Sequence, residues 1–376
     1  MRLAWLRVLE RDAMKKLIVR YGLLIITLTG LVLGRVTSRA TMLETQAGDY
    51  YVDAVGGSDV TGNGSTGSPW QTITHALSQV IGPDVAIHVA AGTYNEALGE
   101  SFPITMEPNV SLLGAGYTTT IISGNESNNV IHFPSTATYT ETTVISGFKI
   151  TGGSIGVRVD GVGGNGSSPT IRGNWISGNN HGIYNRVASG RRVYTVVRDN
   201  LISGNSSHGI YNHADYTKSH ANPHVEGNQI INNGSGGIYC YAAAAGDETS
   251  YCSPQVINNL ISGNGGAGMI CKTYYAGACN GQIVGNTIAD NQGWGIARSH
   301  SGSYLKTSRP KFINNFIFGN TTGGAQFRSG DQPTLVNNTV ADNNTYGIRN
   351  GAPTIVNCIV WGHTDDLNVS VNNVSY

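Results

Sequence analysis

One asparagine recurs along this chain with the same apolar neighbours, and that recurrence limits the architecture more than any other feature. Asn174, Asn200, Asn228, Asn259, Asn286, Asn315 and Asn338, with Cys358 in the eighth place, follow one another at intervals of 20 to 31 residues, a solenoid period with variable inserts. Three residues before each stands an apolar side chain: Ile171, Val197, Val225, Val256, Ile283, Phe312, Leu335 and Ile355. Two residues after stands another: Ile176, Ile202, Ile230, Ile261, Ile288, Ile317, Val340 and Val360. A third follows a glycine in most copies, as in Ile183, Ile210, Ile238 and Met269. Each copy therefore offers three short strands with one inward side chain apiece. Strands this short cannot hold an ordinary meander together. Stacked copy on copy, they pair in parallel at about 4.8 Å per rung and bury a continuous apolar column on each face. The predicted fold is all-β, a single-stranded right-handed parallel β-helix, the hand coming from the rule for parallel connections. Composition agrees: 51 glycines in 376 residues leave little room for helix, while 39% hydrophobic residues suffice for a sizeable core.

The asparagine column is expected to occupy a tight turn, tolerating left-handed backbone and bonding the identical amide one rung away. A second column, Asn179, Asn205, Asn233, Asn264, Asn291, Asn320 and Asn343, does the same at the next corner. Pro169, Pro223, Pro254, Pro310, Pro333 and Pro353 open the first strand, where a missing N–H is tolerated. These columns are scaffold. Upstream, Ile145, Phe148, Ile150 and Val157 fit one rung, and two more are legible between Val110 and Asn125. About ten rungs are expected from Val110 onward, so residues 110–376 form the repeats. Residues 41–109 form an N-terminal cap with the first strands and a short amphipathic helix from about Thr72 to Val80, covering the end of the core.

The segment "YYVDAVGGSD…GSPWQTITHAL…IHVAAGTYNEALGESFPITMEPNVSLLGAG" resembles the opening module of secreted bacterial β-helix proteins in the pectate-lyase-like superfamily, a domain of unknown function. With the repeats, the resemblance covers almost all of the chain after the N-terminal segment. It implies the β-helix fold. For chemistry it implies only a range, because the superfamily includes polysaccharide lyases, hydrolases, epimerases and inert structural proteins.

Lys15 and Lys16, the apolar run from Tyr21 to Leu33 and the small residues ending at Ala40 read as an export signal over residues 1–40, with Met14 as a possible true start. The apolar run is too short to span a bilayer, and the alternative is a buried strand or helix. A secreted or cell-surface protein is expected. The formal net charge of zero gives no argument for nucleic acid or a membrane surface as partner, and a monomer is expected.

Chemistry on a solenoid sits where the period is broken. Here the inserts follow the third strand, building a wall over residues 186–332. It holds Arg186, Arg191, Arg192, Lys218, Lys272, Lys306, Arg309 and Arg328 against Asp215, Asp247, Glu248 and Asp331, a local excess of positive charge in a neutral protein. Beside it Tyr184, Tyr211 and Tyr239 share one outward column. A basic, aromatic-lined groove suits an acidic polysaccharide, whose pyranose rings stack on aromatic faces while Arg forks grip carboxylate or sulfate. The plainer reading is that loops are where a solenoid puts charge and that tyrosines favour strands. β-Elimination on a uronate needs a group to neutralise the carboxylate and a base for the C5 proton. Lys218 and Lys272 are the candidate bases, with Tyr211 or His213 behind them, and Arg186 or Arg298 as neutraliser. Tyr184, Arg186, His213, Tyr239, Arg309 and Arg328 are candidate substrate-binding residues. Polysaccharide lyase is thus favoured over glycoside hydrolase, for which Asp215 with Asp247 is the one plausible carboxylate pair. The resemblance implies calcium for some members and Asp and Gly-His-Gly motifs for polygalacturonases. This sequence has neither an aspartate cluster nor those motifs, and no cofactor is evident. Against the enzyme stands a non-catalytic structural or surface β-helix.

His181 and His208 lie one rung apart, which would allow a metal pair, but other residue types fill the same column and a turn position is the better reading. Among five cysteines, Cys240 and Cys271 share one column and Cys252 and Cys279 another. Two pairings are possible, each insert closed at its base or neighbouring rungs tied together. Closed inserts, Cys240 with Cys252 and Cys271 with Cys279, are favoured, and Cys358 is expected to be a buried free thiol.

Overall fold

The computed structural model describes residues 48–80, 84–244, 248–302, 306–369 and 373–375. The expected export signal over residues 1–40 and Asp247 lie outside them.

Three long parallel sheets wind into a β-helix. The first has thirteen strands, from Asp49–Val52 through Val85–Val89 and Val110–Gly114 to Asn373–Ser375; the second and third have eleven each. The expected stacking is present: Ile176 pairs with Ile202, Ile202 with Ile230 and Ile230 with Ile261, all fully buried. The ladders do not wait for Val110, because Asp49–Val52 already pairs with Val85–Val89 and that strand with Val110–Gly114. The cap is thus built on the first rungs. Its helix, Ile73–Gln79, buries Ile73, Ala76 and Leu77, and the Thr72 side chain accepts the His75 N–H at its start.

The asparagine columns form continuous buried ladders, but the left-handed backbone is one residue earlier than expected. Gly173, Asp199, Gly227 and Asn258 take positive φ before Asn174, Asn200, Asn228 and Asn259, and Gly178, Gly204, Asn232 and Gly263 do so at the second corner. Glycine, asparagine and aspartate tolerate that region. The turn they make frees the ladder asparagine to point inward. There Asn200 Oδ1 accepts from the backbone N–H of Asn174 at 3.0 Å and from its Nδ2 at 3.2 Å, while Asn200 Nδ2 donates to Ile171 O at 2.8 Å. Corner amides that would otherwise be buried without partners are satisfied this way. The first ladder ends on Cys358, a half-buried thiol whose sulfur lies 3.4 Å from the Asn338 N–H. The second ends on His363, whose Nε2 is 3.1 Å from Asn343 Nδ2.

The wall is more ordered than a set of loops. Third-sheet strands lengthen where inserts follow, to His181–Ala188, Ile210–Asp215, Ile238–Ala244, Met269–Tyr275 and Trp294–Ser301. The returning inserts pair with one another in a fourth parallel sheet, Arg192–Val193, His220–Ala221, Ser250–Tyr251 and Gly277–Ala278.

Candidate functional site

Side chains alternate along a strand, so with Ile183, Ile210 and Ile238 buried, the next residues point outward. Tyr184, Tyr211 and Tyr239 lie in register on consecutive rungs. Two residues further, Arg186, His213, Tyr241 and Lys272 make a second outward column. The rings interlock. Tyr184 and Tyr211 stack with centroids 4.9 Å apart at 7°, Tyr211 meets Tyr239 edge-on at 4.9 Å, and His208 stacks on Tyr239 at 4.6 Å. His181 stacks on His208 at 5.7 Å, and His213 meets Tyr241 edge-on at 4.9 Å. Upstream rungs extend the face: His132 and Arg158 continue the tyrosine column and Asp160 the arginine column. Asp160 lies 2.9 Å from His132 Nε2 and accepts from Arg158 Nε at 3.0 Å.

Half-burial among these rings sets the protonation states. Burial first, then the nearby His208, pulls His181 down to about 4. Burial also lowers His208, whose Nδ1 accepts the Gly236 N–H at 3.0 Å, and lowers His213 against the opposing pull of Asp215. Tyr184 is raised by burial, partly offset by the Arg186 and Arg158 charges. Burial works to raise Asp160 too, but the hydrogen bonds and charges of His132 and Arg158 outweigh it and hold the carboxyl below its usual range. At the centre, the Tyr184 hydroxyl is 2.8 Å from His213 Nδ1, and His213 Nε2 is 3.8 Å from Asp215 Oδ2. If tyrosine donates, the imidazole proton sits on Nε2 and faces the carboxylate.

The four residues singled out for catalysis do not converge. Tyr211 is in the ring cluster and Lys272 is exposed on the neighbouring column. Lys218 sits at positive φ within its insert, exposed and ion-paired with Glu248. Arg298 points into the solenoid, because it follows the buried Ile296 by two residues. It is 4% exposed, its Nε is 3.4 Å from Asp331, and it donates to Thr273 Oγ1 at 2.8 Å and Ser308 Oγ at 2.9 Å. It therefore stands away from the outward face. Of the proposed binding residues, Tyr184, Arg186, His213 and Tyr239 share that face. Arg309 lies on the return to the first sheet, with Nε donating to Gln332 at 3.0 Å. Arg328 follows the shortened third-sheet strand Gly323–Gln326, and its backbone N–H donates to Asp331. His132, Arg158, Asp160 and Tyr241 were not foreseen. Tyr241 stands two residues after Tyr239, so strand alternation alone would have found it. The other three are on rungs whose alignment in sequence is loose.

Cys271 and Cys279 are bonded, closing their insert at its base with Cα atoms 6.6 Å apart. The expected Cys240–Cys252 bond is not formed. Both are buried thiols that contact each other and Asn212: Asn212 Nδ2 donates to Cys240 Sγ at 3.6 Å and Cys252 Sγ donates to Asn212 O at 3.9 Å. The two thiols and the disulfide line an apolar cavity of about 50 Å³ with Met269 and Phe312. Among the described residues no group of three or more His, Cys, Asp or Glu side chains is placed to hold a metal ion. No helix of the described residues is long and apolar enough to cross a membrane.

Comparison with known proteins accords with this architecture. The family described as "Protein of unknown function (DUF1565)" matches residues 55–250, more than half of the chain, and the "Right handed beta helix region" matches residues 252–365. No curated protein sequence matches significantly. Among solved structures, the A-module of the Azotobacter vinelandii mannuronan C-5 epimerase AlgE4 is 14% identical with a TM-score of 0.53, covering 77% of this chain and 91% of that one. Pectate lyase Pel9A, 14% identical, gives 0.49 over 88% and 79% of the two chains. The catalytic unit of a GH87 α-1,3-glucanase from Streptomyces thermodiastaticus, 15% identical, gives 0.45 over 88% and 71%. At such identity the likeness is one of fold. The chain belongs to the DUF1565 family, as a right-handed parallel β-helix that carries the family's region over residues 55–250.

Proposed function

We propose that the outward face of the third sheet binds an acidic polysaccharide and takes the C5 proton from one of its uronate residues. The observation that carries this is the Tyr184 hydroxyl, 2.8 Å from His213 Nδ1 and within the field of Arg158 and Arg186, on a surface of stacked rings. The rings offer apolar faces to pyranoses. A guanidinium on the uronate carboxylate makes the C5 hydrogen more acidic by stabilising the charge that develops as it leaves. Tyr184 oxygen takes that proton as its own passes to His213 Nδ1, which burial keeps free to accept it, and Asp215 stabilises the resulting imidazolium. The C5 electron pair then forms the C4–C5 double bond and expels the 4-O-linked sugar, whose oxygen takes back the proton held by the Tyr184–His213 pair, leaving an unsaturated end and restoring the neutral imidazole. Exposed Lys272 binds a neighbouring carboxylate, whereas Lys218 is engaged with Glu248. Support also comes from the fold shared with a protein named for C5 chemistry on mannuronan. The reading takes the protein to be exported, from the order of basic, apolar and small residues before Thr41.

A second reading, a non-catalytic extracellular β-helix, is favoured by one observation: two of the expected catalytic groups, Lys218 and Arg298, are occupied by structural ion pairs. The two separate in D2O. Incubated with polymannuronate and polygalacturonate, the protein is expected to yield unsaturated ends absorbing in the ultraviolet, with deuterium incorporated at C5 if the carbanion is reprotonated instead. Tyr184→Phe should lower the rate by about a hundredfold or more while binding persists. Absence of both binding and turnover across acidic glycans would leave the structural reading.

A further inference from the structure

We infer that Trp294 forms a second sugar-binding subsite, for a distant residue of the same acidic polysaccharide chain. The inference rests on the reading above and adds the length of polymer that the face is built to hold. Trp294 opens the strand Trp294–Ser301, in the column that runs through His181 and His208 on the earlier rungs. Its neighbours across the sheet are Gly323 and then Tyr346. The indole leans over Gly323 and stacks on Tyr346, with centroids 5.8 Å apart at 15°. Glycine is required at that position, since a Cβ would lie 2.4 Å from the indole Cζ3. Tyr346 is held in turn by the Arg349 guanidinium, 4.5 Å from its ring centroid. The indole is thus fixed before any ligand arrives, which spares the ordering cost of binding.

Only one face of Trp294 is used in this way. The other is turned toward the ring cluster, and there the column carries Ala267 and then Gly236. Among the described residues no second ring lies against it. Ile270 and Ala297, in the tyrosine column, complete a low apolar floor between the two aromatic regions. A half-buried indole at the end of a small-residue floor is a platform for the apolar face of a pyranose. From the His181 rung to the Trp294 rung are four steps, about 19 Å at the usual strand spacing. A polysaccharide lying along the solenoid axis over Tyr184 therefore reaches Trp294 only when it is several sugars long. Tyr346 is a positioning residue for the indole.

The test is calorimetric binding of uronate oligomers of increasing length to the full chain. Affinity is expected to rise with length and then level off. Trp294→Ala should remove the last part of that rise, weakening the longest oligomers by about fivefold to tenfold and leaving the shortest unchanged, with Trp294→Phe recovering most of the loss. Tyr346→Ala should give a smaller loss confined to the same long oligomers and rescued by Tyr346→Phe. Equal weakening at every length, or none at any length, would overturn the subsite while leaving the reading of the face intact. If the wild-type chain bound no uronate oligomer, both would fall.

Discussion

Asn228→Ala tests the ladder more sharply than any apolar truncation. Asn228 is 1% exposed and sits mid-ladder. Its Nδ2 donates to Val197 O at 2.9 Å, Glu226 O at 3.0 Å and Asn259 Oδ1 at 2.9 Å, and its Oδ1 accepts from Asn200 N and Nδ2, both at 3.0 Å. Truncation strips partners from the Asn200 N–H and the Val197 carbonyl, both buried. Each such loss costs about 1–3 kcal/mol, so a destabilisation of about 2–6 kcal/mol is expected. Urea unfolding followed by far-ultraviolet circular dichroism and by tryptophan fluorescence measures it, two probes being needed because solenoids can unfold in stages. The control is Asn180→Ala: that exposed side chain meets Ser206 Oγ at 3.3 Å, and its loss should stay within about 0.5 kcal/mol. If Asn228→Ala behaved like Asn180→Ala, the ladder amides would be replaceable by water and the account of the corners would be wrong.

Three further outcomes follow from the geometry. Arg298→Ala should destabilise the protein by about 3–5 kcal/mol by leaving buried Asp331 unpaired, whereas Arg298→Met with Asp331→Leu should recover much of the loss in thermal unfolding; equal loss in both would show that the pair is not the cause. The folded-state pKa of His181, about 4, lies below its ordinary 6.5, so its contribution to stability is complete above pH 6.5 and is lost as pH falls toward 4; His181→Gln should flatten stability against pH across that window, and an unchanged slope would refute the assignment. Peptide mapping without reductant should find Cys271 joined to Cys279 and leave Cys240 and Cys252 open to alkylation after denaturation. Recovery of a Cys240–Cys252 peptide would show that the two neighbouring thiols oxidise in solution.

The columns were legible because a solenoid writes its core as a period: Ile176, Ile202, Ile230 and Ile261 could be aligned by counting alone. Turn chemistry was read one residue late. Gly, Asn and Asp alternate at the positive-φ position before each ladder residue, whereas the repeated amide drew attention to the ladder itself. The outward tyrosines were found for the same reason as the core, as a column. Arg298 was misplaced because it was taken as a neutraliser on the outward side, although in the strand Trp294–Ser301 it follows the buried Ile296 by two residues and alternation turns it inward. His132, Arg158 and Asp160 escaped because their rungs lack the asparagine that anchors the alignment. The fourth sheet could not be seen either, since Arg192–Val193 and its partners share no residue pattern and are brought together only by the stacking of the rungs beneath them.

The central claim, that the outward face of the third sheet is the polysaccharide site, is tested most directly by a crystal structure of Tyr184→Phe grown with a uronate oligomer long enough to span the face. Sugar density is expected along the solenoid axis over Tyr211 and Tyr239, with one carboxylate within hydrogen-bond reach of Arg158 or Arg186 and its C5 beside residue 184. Density on another sheet, or a carboxylate at Lys218 with the ring cluster bare, would contradict it.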